Sequence, residues 1–344
     1  MTCEKCAKSR KLEGQKLMTT SEEMLQASAV QALPRRERVG LFIDSTNATT
    51  AIKSIIDAEN AGVRQVWTTQ GPAAADALTT FAAAAVQTST IRMGPSIVPT
   101  YPRHPLALAA QARALETIAP GRLRLGVGPS HRPTIEGIYG IEMKKPLTHT
   151  REYVSILRAA LWEGNVDYHG QFYNVVAKLS SQARVPILIS TLSPNAFKAA
   201  GEISDGALTW LCPVPYLLQT ALPALQEGAR QAQRPAPPLV AHVLVAVSTD
   251  RQAVLTATRQ RTGYYGKLPF YANMFAESGH PVAPDGTMPD DLVESLVISG
   301  TNETIAARFN ELLSSGLDEL LAMLIPVKNP TQEQNQLAQI IGQL

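Results

Sequence analysis

Eight short apolar runs alternate with helical patterns along the chain, and this alternation limits the fold more than any other feature. The runs begin near residues 38, 63, 91, 122, 185, 207, 240 and 320. Longer stretches with apolar residues at helical spacing separate them, among them 49–61, 105–118, 148–162 and 302–315. Such alternation predicts βαβ units and a parallel sheet. Eight units favour an α/β fold of the (β/α)8 barrel type, with an open doubly wound sheet as the alternative.

The barrel prediction also divides the chain into segments. Residues 38–330 are predicted to form the barrel, and residues 331–344 a tail or short helix. Residues 1–37 are polar and weakly periodic, so we expect a flexible extension or a loosely docked helix outside the core. The stretches 129–147 and 266–295 break the rhythm. In a barrel they would be insertions at the C-terminal face that act as a lid or pocket wall.

Charge balance and cysteine count exclude several classes of protein. Of 344 residues, 31 are Lys or Arg and 29 are Asp or Glu, so the net charge of +2 provides no bulk attraction for nucleic acid. No apolar run reaches about 18 residues, so we expect no membrane span. Cys3, Cys6 and Cys212 are an odd number in a large chain, which indicates a reducing, cytoplasmic compartment. Six His without an HxH pattern, and a lone CxxC, predict no metal site.

The fourth apolar run ends in a glycine motif, Gly126-Val127-Gly128, followed by Pro129, Ser130 and His131. A dinucleotide-binding fingerprint would place GxGxxG after the first strand, with a helix directly behind it. In this chain the third glycine is missing and Pro129 delays any helix. The motif therefore predicts either a plain tight turn or backbone that approaches a ligand closely.

The third and fifth runs also end in unusual residues. Pro95 and Pro99 cannot donate to a sheet, so they predict a bulge or irregular backbone at the end of the third strand. The fifth run ends in hydroxyl side chains, and Pro194 suits the first position of a helix capped by Ser193. Hydroxyls and unpaired N–H groups at a helix N-terminus favour an anion site in addition to plain capping.

Several segments between about Arg38 and Val327 resemble the bacterial-luciferase-like flavin oxidoreductases. These segments are GPSIVPTYPRHPLALAAQA, APGRLRLGVGPSHRP, REYVSILRAAL, VPILISTLSP, AGEISDGALTW and GTNETIAARFNELLSSGLDEL. The resemblance is closest to the deazaflavin-dependent branch, whose coenzyme is F-420. It implies a luciferase-like TIM barrel with insertions at the C-terminal face, where a flavin-type ring binds at the strand ends.

The resemblance also implies the cofactor contacts. In the family the third strand ends in a bulge with a non-prolyl cis peptide under the central ring. That bond corresponds to Ser96-Ile97, followed by Val98. The phosphate-bearing tail of the cofactor would lie on the loops after the fourth and fifth strands. The matching residues there are Gly126, Gly128, Ser130, His131, Thr191, Leu192, Ser193 and Asn195.

The chain departs from the family pattern at the proton donor. Deazaflavin enzymes often carry a His or an acidic residue after the second strand, where this chain has Thr69-Gln70-Gly71. The candidates for catalysis are Asp44, His131 and Glu136, whereas His149 is expected at the surface. Aromatic side chains are expected to line the substrate pocket, namely Tyr139, Trp210, Tyr264 and Phe270.

These expectations combine into one function and two alternatives. We expect hydride transfer between a deazaflavin, coenzyme F-420, and a small organic substrate with an activated C=C, a C=O or an alcohol. The first alternative is an FMN-dependent monooxygenase that uses molecular oxygen. The second is a non-catalytic barrel that binds such a cofactor. The resemblance also suggests a homodimer, and the composition suggests no nucleic-acid or membrane partner.

Overall fold

A parallel sheet closes into a barrel in the computed structural model, which describes residues 22–344. The strands are β1 (Val39–Phe42), β2 (Gln65–Thr68), β3 in two segments (Arg92–Pro95 and Val98–Pro99), β4 (Leu125–Gly128), β5 (Ile187–Ser190), β6 (Ala207–Leu208), β7 (Leu239–Ala246) and β8 (Glu319–Leu324). Each strand pairs in parallel with its sequence neighbours, and β8 pairs with β1. The structure thus confirms the predicted (β/α)8 barrel.

Helices surround the barrel, and several of them begin at a side-chain cap. Asn47, Asp76 and Ser193 each accept a hydrogen bond from the third backbone N–H of the helix that follows. The longer helices are Ala48–Asn60, Ala77–Ala85, Pro105–Ile118, Pro146–Arg158, Pro194–Ile203, Leu222–Gln231, Arg251–Thr262, Pro269–Glu277, Asn302–Ser314 and Pro330–Gly342. Shorter ones are Ala27–Gln31, Arg35–Arg38, Arg132–Gly137, Val214–Tyr216 and Asp290–Leu296.

The indole of Trp67 fills the centre of the barrel. A Cβ atom at Gly40 would lie 2.6 Å from the indole Nε1, and one at Gly94 would lie 2.5 Å from the same ring. The guanidinium of Arg124 lies over the ring, 5.2 Å from its centroid. Two glycines therefore make room for one large side chain, and the cross-section is filled without a void.

Buried charges close the N-terminal end of the barrel. Arg124 donates two hydrogen bonds to Glu319, at 2.7 and 2.8 Å, and both side chains are almost completely buried. Met24 and Val30 are also fully buried at this end, and Ala27 donates its N–H to Ala236. The described part of the predicted N-terminal extension is therefore docked on the barrel as short helices, and the prediction of a flexible extension does not hold for these residues. The predicted CxxC lies outside the described residues.

The last helix, Pro330–Gly342, follows β8 and completes the ring of helices around the barrel. Leu337 and Ile341 are fully buried, and a Cβ at Gly342 would lie 1.9 Å from the carbonyl oxygen of Ala61. The short helix predicted at 331–344 is thus observed, but it packs beside the helix Ala48–Asn60 as part of the barrel, so the boundary predicted at residue 330 was too early. Within residues 22–344, no helix is both long enough and apolar enough to cross a membrane.

Two insertions lie at the C-terminal face, where the sequence predicted them. The first contains the short helix Arg132–Gly137, and the second contains Pro269–Glu277 and Asp290–Leu296. The second insertion ends in the strand Val297–Ser299, which pairs in parallel with β7. A hairpin of Asn165–His169 and Asn174–Lys178 precedes β5. The first insertion follows β4 and the second follows the helix after β7, and aromatic contacts of Tyr265 and Tyr271 with His131 bring the two together at the strand ends.

Substitution of Gly94 by Ala tests the packing around the indole. The added methyl group would overlap Trp67, so we expect Gly94→Ala to lower the free energy of unfolding by about 1–3 kcal/mol. Gly137→Ala is the matched control, because nothing lies within 4 Å of its Cβ position. Urea unfolding of both variants measures the difference, and equal stability of the two would contradict the packing argument.

Candidate functional site

Strand β3 is interrupted at Ser96-Ile97, and the peptide bond between them is cis, as the resemblance implied. The loop after β2 holds this interruption in place. Ser96 donates its N–H to the carbonyl of Thr68 at 2.6 Å, and the carbonyl of Ile97 accepts the N–H of Gln70 at 3.1 Å. The hydroxyl of Thr69 donates to the carbonyl of Ser96 at 3.4 Å. Thr69 and Gln70 therefore position the bulge, although neither side chain is titratable.

The glycines of β4 are required by packing against two neighbouring strands. A Cβ at Gly126 would lie 2.2 Å from the carbonyl oxygen of Pro95, directly before the bulge. A Cβ at Gly128 would lie 2.0 Å from the hydroxyl oxygen of Ser190 on β5. Both glycines are buried inside the barrel. Their role as cofactor contacts stays a prediction, because this packing alone explains why they are glycines.

The loop after β4 places His131 beneath the second insertion. Ser130 adopts a positive φ of 62°, and both Ser130 and His131 are half-buried. The imidazole of His131 lies 5.7 Å from the ring of Tyr265 and 5.8 Å from that of Tyr271. Burial lowers the pKa of His131, which favours its neutral form. His131 thus connects the end of β4 to the second insertion.

Most of the predicted residues after β5 have structural partners. Thr191 is buried, and its hydroxyl donates to the carbonyl of Leu208 at 3.2 Å. The carbonyl of Leu192 accepts the hydroxyl of Tyr216 at 2.8 Å. Ser193 caps the helix that begins at Pro194, as predicted, whereas Asn195 is exposed. The N-terminus of this helix is the part of the loop that remains suited to an anion.

The two acidic candidates differ in what they contact. Asp44 is exposed after β1 and accepts the N–H of Thr46 at 2.8 Å. Glu136 forms an ion pair with Arg132 and accepts the N–H of Met143 at 3.1 Å. These contacts give Glu136 a structural role inside the first insertion and argue against its assignment as a proton donor. Asp44 stays a candidate.

Inward-facing residues at the C-terminal end form a shallow, mostly apolar surface, which we call the floor. It consists of Phe42, Leu208, His242 and Met323, whose exposed fractions are 9%, 4%, 8% and 5%. Their partners on the neighbouring strands, Trp67 beside Phe42 and Leu321 beside His242, are 1% and 0% exposed. Solvent therefore reaches these four side chains and stops there, so they mark the bottom of the barrel mouth.

His242 is the polar member of the floor, and the sequence gave it no role. Its ring lies 4.5 Å from that of Trp210 and 6.0 Å from that of Phe42. Its buried Nε2 atom has no hydrogen-bond partner among the described residues. Burial, with the charge of Arg261 as a lesser cause, lowers the pKa of His242 to about 3. The residue was missed because it lies in an otherwise apolar strand, although inward positions alternate along β7.

The aromatic residues of the second insertion that face the mouth are not the predicted ones. Tyr264 and Phe270 are 54% and 48% exposed, respectively, so they point away from the site. Their sequence neighbours Tyr265 and Tyr271 pack against each other at 4.9 Å instead, and Tyr265 lies 5.6 Å from Trp210. The prediction of Trp210 as part of this aromatic group is consistent with these contacts, and Tyr139 is half-buried.

His149 is buried beside the end of β3, so its predicted surface position was wrong. Its Nδ1 lies 3.3 Å from the hydroxyl of Thr100, and its Nε2 lies 3.0 Å from the hydroxyl of Tyr173. The ring of Tyr101 stacks on the imidazole at 3.9 Å. Burial lowers the pKa of His149 to about 4, although Glu152 acts in the opposite direction. This neutral, fully paired histidine joins the hairpin to the barrel.

Known proteins share both the sequence pattern and the fold. The chain matches the luciferase-like monooxygenase family over residues 31–319. It belongs to this family. It is 27% identical over 273 residues to 5,10-methylenetetrahydromethanopterin reductase of Methanopyrus kandleri, covering 69% of this chain and 78% of the relative. As a member of this family, the chain is an oxidoreductase.

Two solved structures show the same fold at low sequence identity. An F-420-dependent secondary alcohol dehydrogenase in complex with an F-420–acetone adduct superimposes with a TM-score of 0.73 at 19% identity, covering 88% of this chain and 97% of that one. The EDTA monooxygenase of Chelativorans sp. BNC1 also gives a TM-score of 0.73, at 14% identity, covering 88% and 92%. The fold is therefore common to both kinds of enzyme.

The pKa of His149 predicts an acid-sensitive stability. The pKa of His149 is 6.5 in the unfolded chain and about 4 in the folded protein. Protonation between these values favours the unfolded chain, so the free energy of unfolding falls as the pH drops from 6.5 to 4. When the pH is lowered from 7 to 5, we expect the free energy of unfolding of His149→Gln to fall by about 1–2 kcal/mol less than that of the unmodified chain. Urea unfolding at both pH values measures this, and equal losses would refute the assignment.

Proposed function

We propose that the chain transfers hydride between the deazaflavin coenzyme F-420 and a small organic substrate. The observation that carries this proposal is its relation to the Methanopyrus kandleri reductase, together with a fold that an F-420-dependent alcohol dehydrogenase shares. The structure adds a barrel mouth with an apolar floor and aromatic walls. Such a surface suits a planar ring, and ligand sites of this kind are mostly apolar with few polar groups.

The residues of the mouth fit such a ring, and a substrate beside it, in three respects. The backbone at Ser96-Ile97 is held by the loop after β2, so it offers a rigid support on one side. His242 presents an unpartnered buried nitrogen that a ligand can satisfy. The helix that begins at Pro194 offers N–H groups to a phosphate. When bound, the deazaflavin would supply a carbon centre that gives or takes hydride.

The protein residues would bind, orient and shield the reacting groups. Tyr265 and Tyr271 close the mouth from above, and their contact with His131 connects both insertions over the site. Exclusion of water and fixed orientation are the contributions a protein makes to hydride transfer. Asp44 remains a candidate to hold a proton, since it is exposed at the end of β1. A homodimer also remains a prediction.

Cofactor binding is the direct test of this function. We expect the purified protein to quench the fluorescence of oxidised F-420 at micromolar concentrations and to bind FMN far more weakly. Tight FMN binding with oxygen-dependent oxidation of a reduced nicotinamide would establish the monooxygenase alternative instead. Binding of F-420 without turnover of any alcohol, ketone or activated alkene would indicate a non-catalytic carrier.

Ser193→Asp tests the phosphate site separately. Aspartate also caps helices, so the helix after β5 should persist, but its negative charge should repel the phosphate of the coenzyme. We expect at least about tenfold weaker F-420 binding, which corresponds to about 1.4 kcal/mol. Thr301→Asp is the matched control, because Thr301 caps another helix, Asn302–Ser314. Equal F-420 affinity in both variants would exclude the helix after β5 as the phosphate site.

A further inference from the structure

The imidazole of His242 is the one polar side chain among the four residues of the floor, and it is held rigidly. Strand β7 pairs with β6 on one side and with β8 on the other. The backbone N–H of His242 also donates to the hydroxyl of Thr209 at 3.2 Å. The backbone of His242 cannot move out of the mouth without a break in this sheet. Its position therefore fixes where a ligand on the floor can place a polar atom.

An unpartnered nitrogen in such a place destabilises the free protein. A buried polar atom without a hydrogen bond lowers the free energy of unfolding by about 1–3 kcal/mol, and an apolar ring of similar shape would avoid this cost. Phe42 and Trp210 contribute ring faces and edges next to this nitrogen and no described hydrogen bond. A ligand that satisfies the nitrogen recovers this free energy on binding. The feature is therefore better explained by a ligand than by folding.

We propose that His242 is the hydrogen-bonding contact for the oxygen of a small ketone or secondary alcohol bound over the floor. This inference rests on the proposed function, and it narrows the substrate to the carbonyl–alcohol couple. A neutral imidazole carries one N–H donor and one bare acceptor nitrogen. It can therefore donate to the oxygen of a ketone or accept the O–H of an alcohol. The low pKa of His242 keeps the ring neutral in both cases.

The reaction balances without a further reactant except water. In the reductive direction the carbonyl carbon would receive hydride, with its two electrons, from a reduced deazaflavin if that coenzyme is bound. The C=O double bond would become a single bond, the oxygen would take one proton from solvent, and the coenzyme would be left oxidised. His242 donates a hydrogen bond to the oxygen while negative charge develops there, and fixed donors of this kind act in the transition state.

Three variants separate this role from a structural one. His242→Phe removes the hydrogen bond and keeps an aromatic ring, His242→Gln keeps a donor and an acceptor, and His169→Phe is a control at an exposed histidine of the hairpin. Each is measured for thermal midpoint, for F-420 affinity by fluorescence quenching, and for the affinity of acetone, cyclohexanone and acetophenone from the absorbance of bound F-420. Nitrogen-15 NMR of the histidine rings reports contact with the same ketones without turnover.

We expect His242→Phe to melt at the same or a higher temperature, to bind F-420 within about threefold of the unmodified chain, and to bind the ketones at least about tenfold more weakly. His242→Gln should recover part of that loss, and His169→Phe should show none. Unchanged ketone affinity in His242→Phe, no ketone binding by the unmodified chain, or a loss of F-420 affinity instead would overturn the inference. Failure of the unmodified chain to bind F-420 would instead reject the proposed function.

Discussion

The filling of the barrel by Trp67 is the constraint on which the rest of the structure depends. One indole, flanked by Gly40 and Gly94, occupies the volume that several smaller side chains fill in a barrel of layered aliphatic residues. Because the ring also receives the guanidinium of Arg124, it links the apolar centre to the buried charges below. The floor borders this ring, because Phe42 pairs with Trp67 across the sheet, so the indole limits how deep a ligand can enter.

A shallow floor has consequences for chemistry. A ligand cannot sink into the barrel and must lie across the strand ends, between the bulge of β3 and the opposite strand β7. In an eight-stranded ring these two strands face each other, so a flat heterocycle against the bulge, with a small molecule between it and β7, suits the space between them. The lid aromatics Tyr265 and Tyr271 then cover the ligand, so water is excluded from above.

The sequence predicted local features well and long-range orientation poorly. The helix predicted at 105–118 is observed as Pro105–Ile118, because Pro105 and its neighbours define its start locally. The choice between Tyr264 and Tyr265 depends on how the second insertion docks, and no local pattern encodes that. His149 was placed at the surface because its partners Thr100 and Tyr173 come from other segments. His242 was missed for a related reason, since an apolar strand with one histidine looks like ordinary core.

In the loop after β2, backbone groups rather than side chains make most of the contacts that hold the bulge of β3. Its hold on the bulge relies chiefly on the N–H of Gln70 and the carbonyl of Thr68, groups that nearly every residue type possesses. The side chains at these positions can therefore change without loss of the backbone hydrogen bonds that hold the bulge. A barrel built this way can lose a titratable group beside one strand and acquire another across the mouth. The location of its acid–base chemistry can thus move around the rim while the support beneath the ligand stays the same.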